Sequence, residues 1–351
     1  MRHIFSVFLS LIGAVAVSAQ GLDCLIPVPT DILLSDGTYT YDQEPQVTVK
    51  FQEELAPEAY ELHITPEGIL IKTSTEAGAF YARQTLAQIT GYGSEKMIPC
   101  CIVIDAPRFS YRGLHVDVSR HFRSLDFLKK QIDAMAMFKM NRMHLHLTDA
   151  AGWRMQIEAY PRLTSLAAWR PQHTWKEWWA GNRHYAEEGQ EGAYGGYYTK
   201  DELTDLVEYA RERHIEIIPE IEMPSHSEEV LAAYPELGCS GQAYKDSDFC
   251  VGNEAVYTFL ETVLSEVMEV FPSEYIHIGG DEAGKQHWKT CPACQERMRQ
   301  EGLKDVDELQ SYMIRRIEKF VNSKGRQIIG WDEILQGGLA PGAAVMSWRG
   351  T

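Results

Sequence analysis

The chain has 351 residues, of which 44% are hydrophobic and 11% aromatic, and its formal net charge at pH 7 is -17. This length and apolar content allow a barrel-sized domain with a large buried core, and they exclude a disordered chain. The strong negative charge argues against a nucleic-acid partner, because phosphates require a basic protein surface.

The N-terminal residues have the pattern of a secretory signal peptide. A basic start precedes an apolar run over residues 4–17 and the small-residue exit Ser18-Ala19-Gln20. The run is too short to cross a membrane, and the alternative is a buried N-terminal helix. We therefore expect residues 1–19 to be a signal peptide, and the mature protein to be exported to the periplasm or the exterior without a membrane span.

Residues 20–106 are predicted to form a small α/β domain. Apolar and polar side chains alternate over residues 46–49, 60–64 and 68–72, which is typical of half-buried strands. Residues 78–89 have the apolar spacing of a helix. The segment Ala106-Pro107-Arg108 indicates the boundary with the next domain.

From Arg112 onward, short apolar strands alternate with amphipathic helices. The predicted strands are residues 113–117, 143–147, 215–220, 275–279, 327–331 and 344–348. The predicted helices include residues 124–140, 199–213, 255–270 and 306–322. Such alternation indicates a parallel sheet with helices outside. The first strand leads into Val118-Ser119-Arg120-His121 rather than a glycine-rich phosphate loop, which favours a (β/α)8 barrel over a doubly wound sheet.

The number of strands is lower than a closed barrel requires. A (β/α)8 TIM barrel has eight strands, whereas residues 107–351 contain six predicted ones. We therefore expect the catalytic domain to be a TIM barrel that is truncated after about six strands. Exposed sheet edges would make the isolated chain poorly stable and weakly active at best.

Polar and aromatic side chains follow the predicted strands, at the end where barrel enzymes place their active site. The strongest signal is the segment His277-Ile278-Gly279-Gly280-Asp281-Glu282. Glycosidic cleavage needs a carboxylic acid that protonates the leaving oxygen. Adjacent carboxylates project in different directions, so Asp281 and Glu282 suit a reaction in which the substrate supplies its own nucleophile. The alternative is an acidic pair at a helix start.

The seven cysteines permit disulfides in an exported chain. Cys239 and Cys250 flank a polar loop, and Cys291 and Cys294 form a Cys-x-x-Cys motif. A zinc site needs a second pair at matching spacing, and none is evident in the sequence. We therefore expect a local disulfide or free thiols, with metal or redox chemistry as the less favoured alternative. The odd total leaves at least one thiol unpaired.

From about residue 25 to its end, the sequence resembles glycoside hydrolase family 20, the β-N-acetylhexosaminidases. The matching motifs occur in the family's order at residues 106–122, 139–149, 152–154, 219–226, 277–282, 330–333 and 347–348. The resemblance implies hydrolysis of terminal β-linked N-acetylhexosamines (GlcNAc or GalNAc) in a glycan, with retention of configuration. In that mechanism the 2-acetamido group of the substrate is the nucleophile.

The resemblance also implies the roles of individual residues. Glu282 would be the general acid and then the base, and Asp281 would orient the acetamido nitrogen. Asp149 and His226 would form a buried relay that sets the pKa of the acid.

The same resemblance implies the substrate-binding residues. Arg112 would bind sugar hydroxyls, with a structural salt bridge as the alternative. Trp331 and Trp348 would form the aromatic walls of the sugar pocket. No metal and no cofactor are expected.

Two stretches lie outside the family pattern or beyond the pocket. Ala150 and Ala151 follow Asp149 where the family usually has an acidic residue and then Gln, which weakens hydrogen bonding near the relay. Trp175, Trp178 and Trp179 lie in a predicted loop and are candidates for outer sugar subsites.

Three other functions compete with this interpretation. The first is a sugar-binding relative without turnover. The second is a family-18 chitinase, which would have an Asp-x-x-Asp-x-Asp-x-Glu motif at the fourth strand, where this chain has the 277–282 segment. The third is a metal-dependent amidase that uses His115, His144, His146 and His226, and it lacks the usual ligand spacing.

Overall fold

A computed structural model describes residues 22–91 and 96–350, which form two compact units. The first unit contains residues up to 113 together with 130–141 and 212–215, and the second contains 114–129, 142–211 and 216 onward. The predicted signal peptide, residues 1–19, lies outside the described residues. Among the described helices, none has the length and apolar character of a membrane span.

The first unit contains a five-stranded sheet with the strand order β1-β5-β3-β4-β2. Its strands are β1 (Asp31–Thr40), β2 (Val47–Phe51), β3 (Tyr60–Thr65), β4 (Gly68–Thr73) and β5 (Met97–Asp105). Helix α1 (Glu76–Gly91) packs against β3 and β4. Alternate residues of β3 are buried, and Leu62 on β3, Ile71 on β4 and Val103 on β5 belong to one apolar core. Strands β2 to β4 and helix α1 lie where the sequence predicts them.

The second unit contains a six-stranded sheet with the order β15-β14-β13-β12-β7-β6. These strands are β6 (Gly113–Asp117), β7 (Arg142–His146), β12 (Glu216–Glu220), β13 (Tyr275–His277), β14 (Gln327–Trp331) and β15 (Ala344–Met346). The pairs from β7 through β15 are parallel. All six strands lie within two residues of the predicted positions. The parallel sheet of a TIM-barrel domain is confirmed.

Helices follow the strands of this sheet. They are α2 (Leu125–Met137), α3 (Arg162–Ser165), α4 (Trp175–Ala180), α5 (Lys200–Arg211), α6 (Glu228–Ala233), α7 (Glu254–Val270), α8 (Pro292–Glu301) and α9 (Val306–Ser323). The long helices begin at side-chain caps: the Asp305 carboxylate accepts from the first turn of α9, and the Asn253 side chain accepts from that of α7. One face of α9 is buried, including Leu309, Met313 and Ile317, and so faces the core.

Two short antiparallel strand pairs lie in the loops after the strands. β8 (Thr148–Asp149) pairs with β9 (Gly152–Trp153), and β10 (Trp169–Arg170) pairs with β11 (Tyr194–Gly195).

The fully buried Arg154 side chain holds these loops together through backbone carbonyls. Its guanidinium donates to the carbonyl oxygens of Val118, Ser119, Ala168 and Gly196 at 2.6–3.0 Å. Burial lowers the pKa of Arg154 to about 10, with nearby Arg170 as the next cause. Because a pKa of about 10 still leaves the group charged at neutral pH, the carbonyl dipoles stabilise a buried cation.

Candidate active site

Four predicted catalytic residues meet at the carboxyl ends of neighbouring strands. The Nδ1 atom of His226 lies 3.4 Å from Oδ1 of Asp149. The Nε2 atom of His226 lies 3.3 Å from Oδ2 of Asp281 and 3.5 Å from Oε2 of Glu282. The imidazole is therefore in ion-pair contact with the buried aspartate on one side and with both members of the acidic pair on the other.

The backbone of this cluster is strained where it carries function. His226 and Glu282 have φ values of 54° and 49°, in the left-handed region that non-glycine residues seldom adopt. Such strain persists only where the surrounding structure fixes it. Gly279 also has a positive φ, of 65°, and a Cβ atom there would lie 1.9 Å from a carboxylate oxygen of Glu222. Gly279, two residues before Asp281, is thus required by close packing.

Electrostatics fix the charges of the relay. Burial disfavours a charged His226, but Asp149 and Asp281 outweigh it and raise the pKa of His226 to about 12. Burial likewise disfavours a charged Asp149, but His146 and His226 lower the pKa of Asp149 well below its usual range. At neutral pH the relay therefore contains the imidazolium of His226 beside the carboxylate of Asp149.

Asp281 and Glu282 face different surroundings although they are adjacent. The side chain of Glu282 is 60% exposed, whereas that of Asp281 is 16% exposed. Oδ1 of Asp281 is buried and has no hydrogen-bond partner among the described residues. Glu282 can therefore exchange protons with solvent or substrate, and Asp281 keeps an acceptor for one N–H or O–H group.

A buried hydrogen-bond network around Glu220 contacts the catalytic cluster through His146, which also bonds to Asp149. Glu220 ends β12, is fully buried, and bonds through Oε2 to Nδ1 of His146. Nε2 of His144 lies 2.8 Å from Oε2, and Nδ1 of His277 lies 2.9 Å from Oε1. The indole Nε1 of Trp331 donates to Oε1 at 2.9 Å. This bond fixes the orientation of Trp331 at the end of β14.

The network carries an internal charge pair. Burial opposes ionisation of Glu220, but His146 and His277 outweigh it and hold the pKa of Glu220 well below its usual range. The pKa of His146 is raised, against the effect of burial, by Glu220 and Asp149. Burial lowers the pKa of His144 to about 4, so this ring is neutral. Sequence reasoning missed Glu220 as a functional residue, although a carboxylate that ends the apolar segment Ile217-Ile218-Pro219 was a visible signal.

Trp348 also lies at the strand ends, after β15. Its Nε1 donates to Oε2 of Glu333 at 3.1 Å, its backbone N–H donates to Asp332, and the residue is 50% exposed. An exposed indole held by hydrogen bonds can present its face to a sugar.

The structure corrects the predicted role of Arg112. This residue immediately precedes β6, so it lies at the amino end of a strand whose carboxyl end faces the site. Its guanidinium pairs with Glu58 at 2.6 Å and donates to the carbonyls of Phe109 and Lys139. Arg112 is therefore part of the first unit, in the structural salt bridge that the sequence left as the alternative.

Arg120, unlike Arg112, lies at the carboxyl end of a strand. It follows the carboxyl end of β6, and its Nη1 and Nη2 atoms lie 2.9 Å from Asp117 and 2.6 Å from Asp149. One third of its side chain is exposed. Arg120 follows the predicted strand 113–117, so the strand-end rule favours it over Arg112 as a site residue, although the resemblance was applied to Arg112.

A pocket of about 480 Å³ opens beside Glu282 and His226. Besides these two, its lining includes Trp179, Arg183, Glu228, Tyr244, Lys245, Asp246, Asp248 and His287. Trp179 is 49% exposed, stacks on Trp175 with ring centroids 5.5 Å apart, and lies under the Arg183 guanidinium. Trp178 is fully buried, and its Nε1 donates to the His184 carbonyl, so it is not an outer subsite residue.

Four cysteines lie together, contrary to the expectation that no second pair accompanies the Cys-x-x-Cys motif. The sulfur atoms of Cys239, Cys250, Cys291 and Cys294 are all within 4.8 Å of one another. The two pairs are far apart in sequence, and the fold brings them together.

The parallel sheet and the strand-end carboxylates, imidazoles and indoles define the class of barrel glycoside hydrolases. Within that class, the chain belongs to glycosyl hydrolase family 20. Residues 109–351 match "Glycosyl hydrolase family 20, catalytic domain", and residues 26–106 match "Glycosyl hydrolase family 20, domain 2".

Similar proteins carry hexosaminidase names. The chain is 44% identical over 312 residues to a beta-hexosaminidase of Porphyromonas gingivalis, covering 84% of this chain and 38% of that protein. It is 34% identical to a beta-hexosaminidase of Vibrio furnissii, covering 90% and 53%. The chain thus spans about half or less of the length of these relatives.

Solved structures agree with this family. A Vibrio harveyi GH20 exo-beta-N-acetylglucosaminidase in complex with N-acetylglucosamine superposes with a TM-score of 0.83 at 30% identity, covering 95% of this chain and 58% of that one. A Bacteroides fragilis beta-N-acetylhexosaminidase gives 0.80 at 31% identity, covering 92% and 70%.

Proposed function

We propose that this chain provides the catalytic site of a β-N-acetylhexosaminidase that removes terminal β-linked N-acetylhexosamines from glycans with retention of configuration. The observation that carries the proposal is the arrangement of Asp281 and Glu282. Both carboxylates lie within 3.5 Å of the charged His226, yet only Glu282 is open to solvent. Two adjacent carboxylates in such different surroundings suit two different tasks.

In the first step Glu282 donates its proton to the leaving oxygen as the bond from that oxygen to the anomeric carbon breaks. The acetamido oxygen of the substrate forms the new bond to the anomeric carbon and gives a cyclic oxazolinium. Asp281 accepts the amide N–H through its unpartnered Oδ1, which favours the positive charge that develops on the amide. In the second step Glu282 removes a proton from water as the water oxygen bonds to the anomeric carbon, and the bond from that carbon to the acetamido oxygen breaks, which restores the amide.

Arg120, Trp331 and Trp348 are proposed to hold the sugar. The exposed part of the Arg120 guanidinium can donate to two hydroxyl groups, while Asp117 and Asp149 fix its orientation. Trp331, fixed by Glu220, and the exposed Trp348 offer apolar faces to the ring and to the acetamido methyl.

The pocket beside Glu282 is proposed to receive the leaving group. Its lining combines the exposed indole of Trp179 with acidic and basic side chains. Aromatic faces together with polar groups recognise saccharides, so a sugar-containing leaving group fits this pocket. The relatives named chitobiase and beta-hexosaminidase support a substrate of this class.

The test is hydrolysis of aryl β-N-acetylglucosaminides by Glu282→Gln. We expect kcat/KM to fall by roughly 10²–10⁴-fold, since the variant loses general acid catalysis. The loss of rate in the first step should be smaller for substrates whose leaving group is a more acidic phenol, because such a phenolate departs with less help from a proton donor. Glu301→Gln, an exposed change on α8, is the control and should retain activity.

A sugar-binding protein without turnover would give a different result. The wild-type chain would bind N-acetylglucosamine without hydrolysing any aryl glycoside, and Glu282→Gln would change nothing measurable. That outcome would refute the enzymatic proposal.

We also propose export through residues 1–19. The basic start, the apolar run and the small residues before Gln20 support cleavage after Ala19. Sequencing the N terminus of protein recovered outside the cytoplasm tests this proposal, and an intact Met1 there would contradict it.

A further inference from the structure

The cluster of Cys239, Cys250, Cys291 and Cys294, here called the tetracysteine cluster, has the dimensions of a metal site. Its sulfur atoms are separated by 3.8 Å (Cys239 to Cys294), 3.6 Å (Cys250 to Cys291) and 3.7 Å (Cys250 to Cys294). A tetrahedral zinc ion with Zn–S bonds of about 2.3 Å separates its sulfur ligands by about 3.8 Å. The spacing therefore matches a tetrathiolate around one ion.

Each pair of cysteines is held by its own local structure. Gly238 and Phe249 form an antiparallel bridge, and the Cys250 N–H donates to the Leu237 carbonyl, so Cys239 and Cys250, one residue beyond each bridge partner, lie diagonally across these two paired segments. This short hairpin supplies the first pair of ligands.

The second pair lies at the start of a helix. Cys291 is the N-cap of α8, and Cys294 lies in its first turn and is buried. A helix N-terminus favours the thiolate form of cysteine, which is the form that binds metal.

Close backbone packing joins the two pairs. A Cβ atom on Gly252 would lie 2.2 Å from the Ala293 carbonyl carbon and 2.4 Å from the Cys294 backbone nitrogen. Only a glycine allows the chain after Cys250 to approach α8 so closely. The fold therefore brings four sulfur atoms together and does not leave them as scattered thiols.

We propose that the tetracysteine cluster binds one structural Zn²⁺ ion. Four soft thiolates without an open position are the ligand set of structural zinc sites, and binding releases the thiol protons to solvent. This site is separate from the carboxylates of the candidate active site and does not depend on the proposed hydrolase activity.

The ion would fix one wall of the pocket beside Glu282. Tyr244, Lys245, Asp246 and Asp248 line that pocket, and all lie between Cys239 and Cys250. His287, another lining residue, bonds to Asp246 and accepts through its carbonyl from the Cys291 N–H. Zinc at the cluster would thus join the two segments that form this wall.

The test is the metal content of the purified protein, measured by inductively coupled plasma mass spectrometry. We expect about one zinc per chain in the wild type and in Cys24→Ser, an exposed cysteine of the first unit. Cys239→Ser and Cys294→Ser should lose zinc about fivefold or more. Cobalt added to metal-free protein should give the intense visible bands of a tetrahedral thiolate site.

A second measurement needs no variant. A mercurial that titrates the thiols of the wild type should release the zinc stoichiometrically, and trypsin should then cut after the exposed Lys245 faster than before. Metal loss should also lower the melting temperature by roughly 5 °C or more.

Three results would overturn the proposal. Four free thiols without stoichiometric zinc would indicate a hydrogen-bonded thiol cluster. A chain mass reduced by the hydrogens that disulfide formation removes would indicate two disulfides, Cys239–Cys294 and Cys250–Cys291. Stoichiometric iron with a coloured protein would indicate a different metal.

Discussion

Glu220 has more partners than any single motif reveals. One buried carboxylate contacts His144, His146 and His277 and also accepts the indole N–H of Trp331. The charged pair of Glu220 with His146 offsets the cost of burying either group alone. Loss of the carboxylate would leave a buried cation and an unpartnered indole, so the orientation of Trp331 depends on a fully buried residue.

Arg120 and Arg112 allow a matched comparison. Arg120→Lys should lower kcat/KM for an aryl N-acetylglucosaminide by about 10–100-fold, because one ammonium cannot replace the two-pronged contact of a guanidinium. Arg112→Lys should leave kcat/KM within about twofold and instead lower the free energy of unfolding by roughly 1–3 kcal/mol, since its partner Glu58 is half-buried. Steady-state kinetics and urea unfolding of both variants measure these effects. The reverse pattern would restore the role first predicted for Arg112.

At the scale of elements, the sequence predicts the parallel strands well and the irregular parts poorly. β6, β7, β12, β13, β14 and β15 are short apolar runs between amphipathic helices, so their positions follow from periodicity. β1 and β5 were missed: β1 is mostly exposed and contains Gly37, and β5 is buried at four consecutive positions, Ile98 to Cys101, so neither alternates. The two pairs of two-residue strands depend on tertiary contacts that have no local pattern.

In the candidate site, too, residues in local sequence motifs are predictable, whereas residues brought together by long-range contacts are not. Asp281 and Glu282 follow directly from one strand-end motif, and the resemblance adds Asp149 and His226. The tetracysteine cluster could not be predicted, because its two pairs differ in spacing and meet only through the close approach of Gly252 to α8. Long-range contacts of this kind follow from the fold alone.

Helix α4 places Trp179 in the pocket wall, which gives a prediction about substrate length. Trp179→Ala should raise KM for N,N'-diacetylchitobiose about tenfold, since it removes an aromatic face from the proposed leaving-group pocket. Hydrolysis of a small aryl glycoside, which contacts less of this pocket, should change less than about twofold. An equal loss with both substrates would place Trp179 outside the leaving-group pocket.

For the whole molecule, buried titratable groups determine how stability varies with pH. Asp149 and Glu220 have lowered pKa values in the folded state. They therefore stabilise the fold at pH values above their unfolded-state pKa, and this stabilisation is lost as the pH falls. The pKa of His226 is raised from 6.5 to about 12. Its contribution to the free energy of unfolding is therefore fully present below pH 6.5 and is lost as the pH rises towards 12. Burial raises the pKa of Glu222, which also makes the fold less stable at higher pH.

Glu228 should account for part of the decline between pH 5 and 7. Burial raises its pKa from 4.5 to about 7, so ionisation costs the folded state roughly 3 kcal/mol over that interval. Urea unfolding should show maximal stability near about pH 5 in the wild type. Glu228→Gln should reduce the decline between pH 5 and 7, and an unchanged slope would contradict the raised pKa.

Arg154 has a consequence for how these loops can vary. Its planar guanidinium donates hydrogen bonds to backbone carbonyls in three separate stretches of chain, near residues 118, 168 and 196. These bonds take the place of the water molecules that loop carbonyls usually bind. No other side chain offers so many donors in one plane. Even a lysine could not replace Arg154, because it has too few donors for these carbonyls. A change in the backbone of one of the three stretches therefore requires matching changes in the other two.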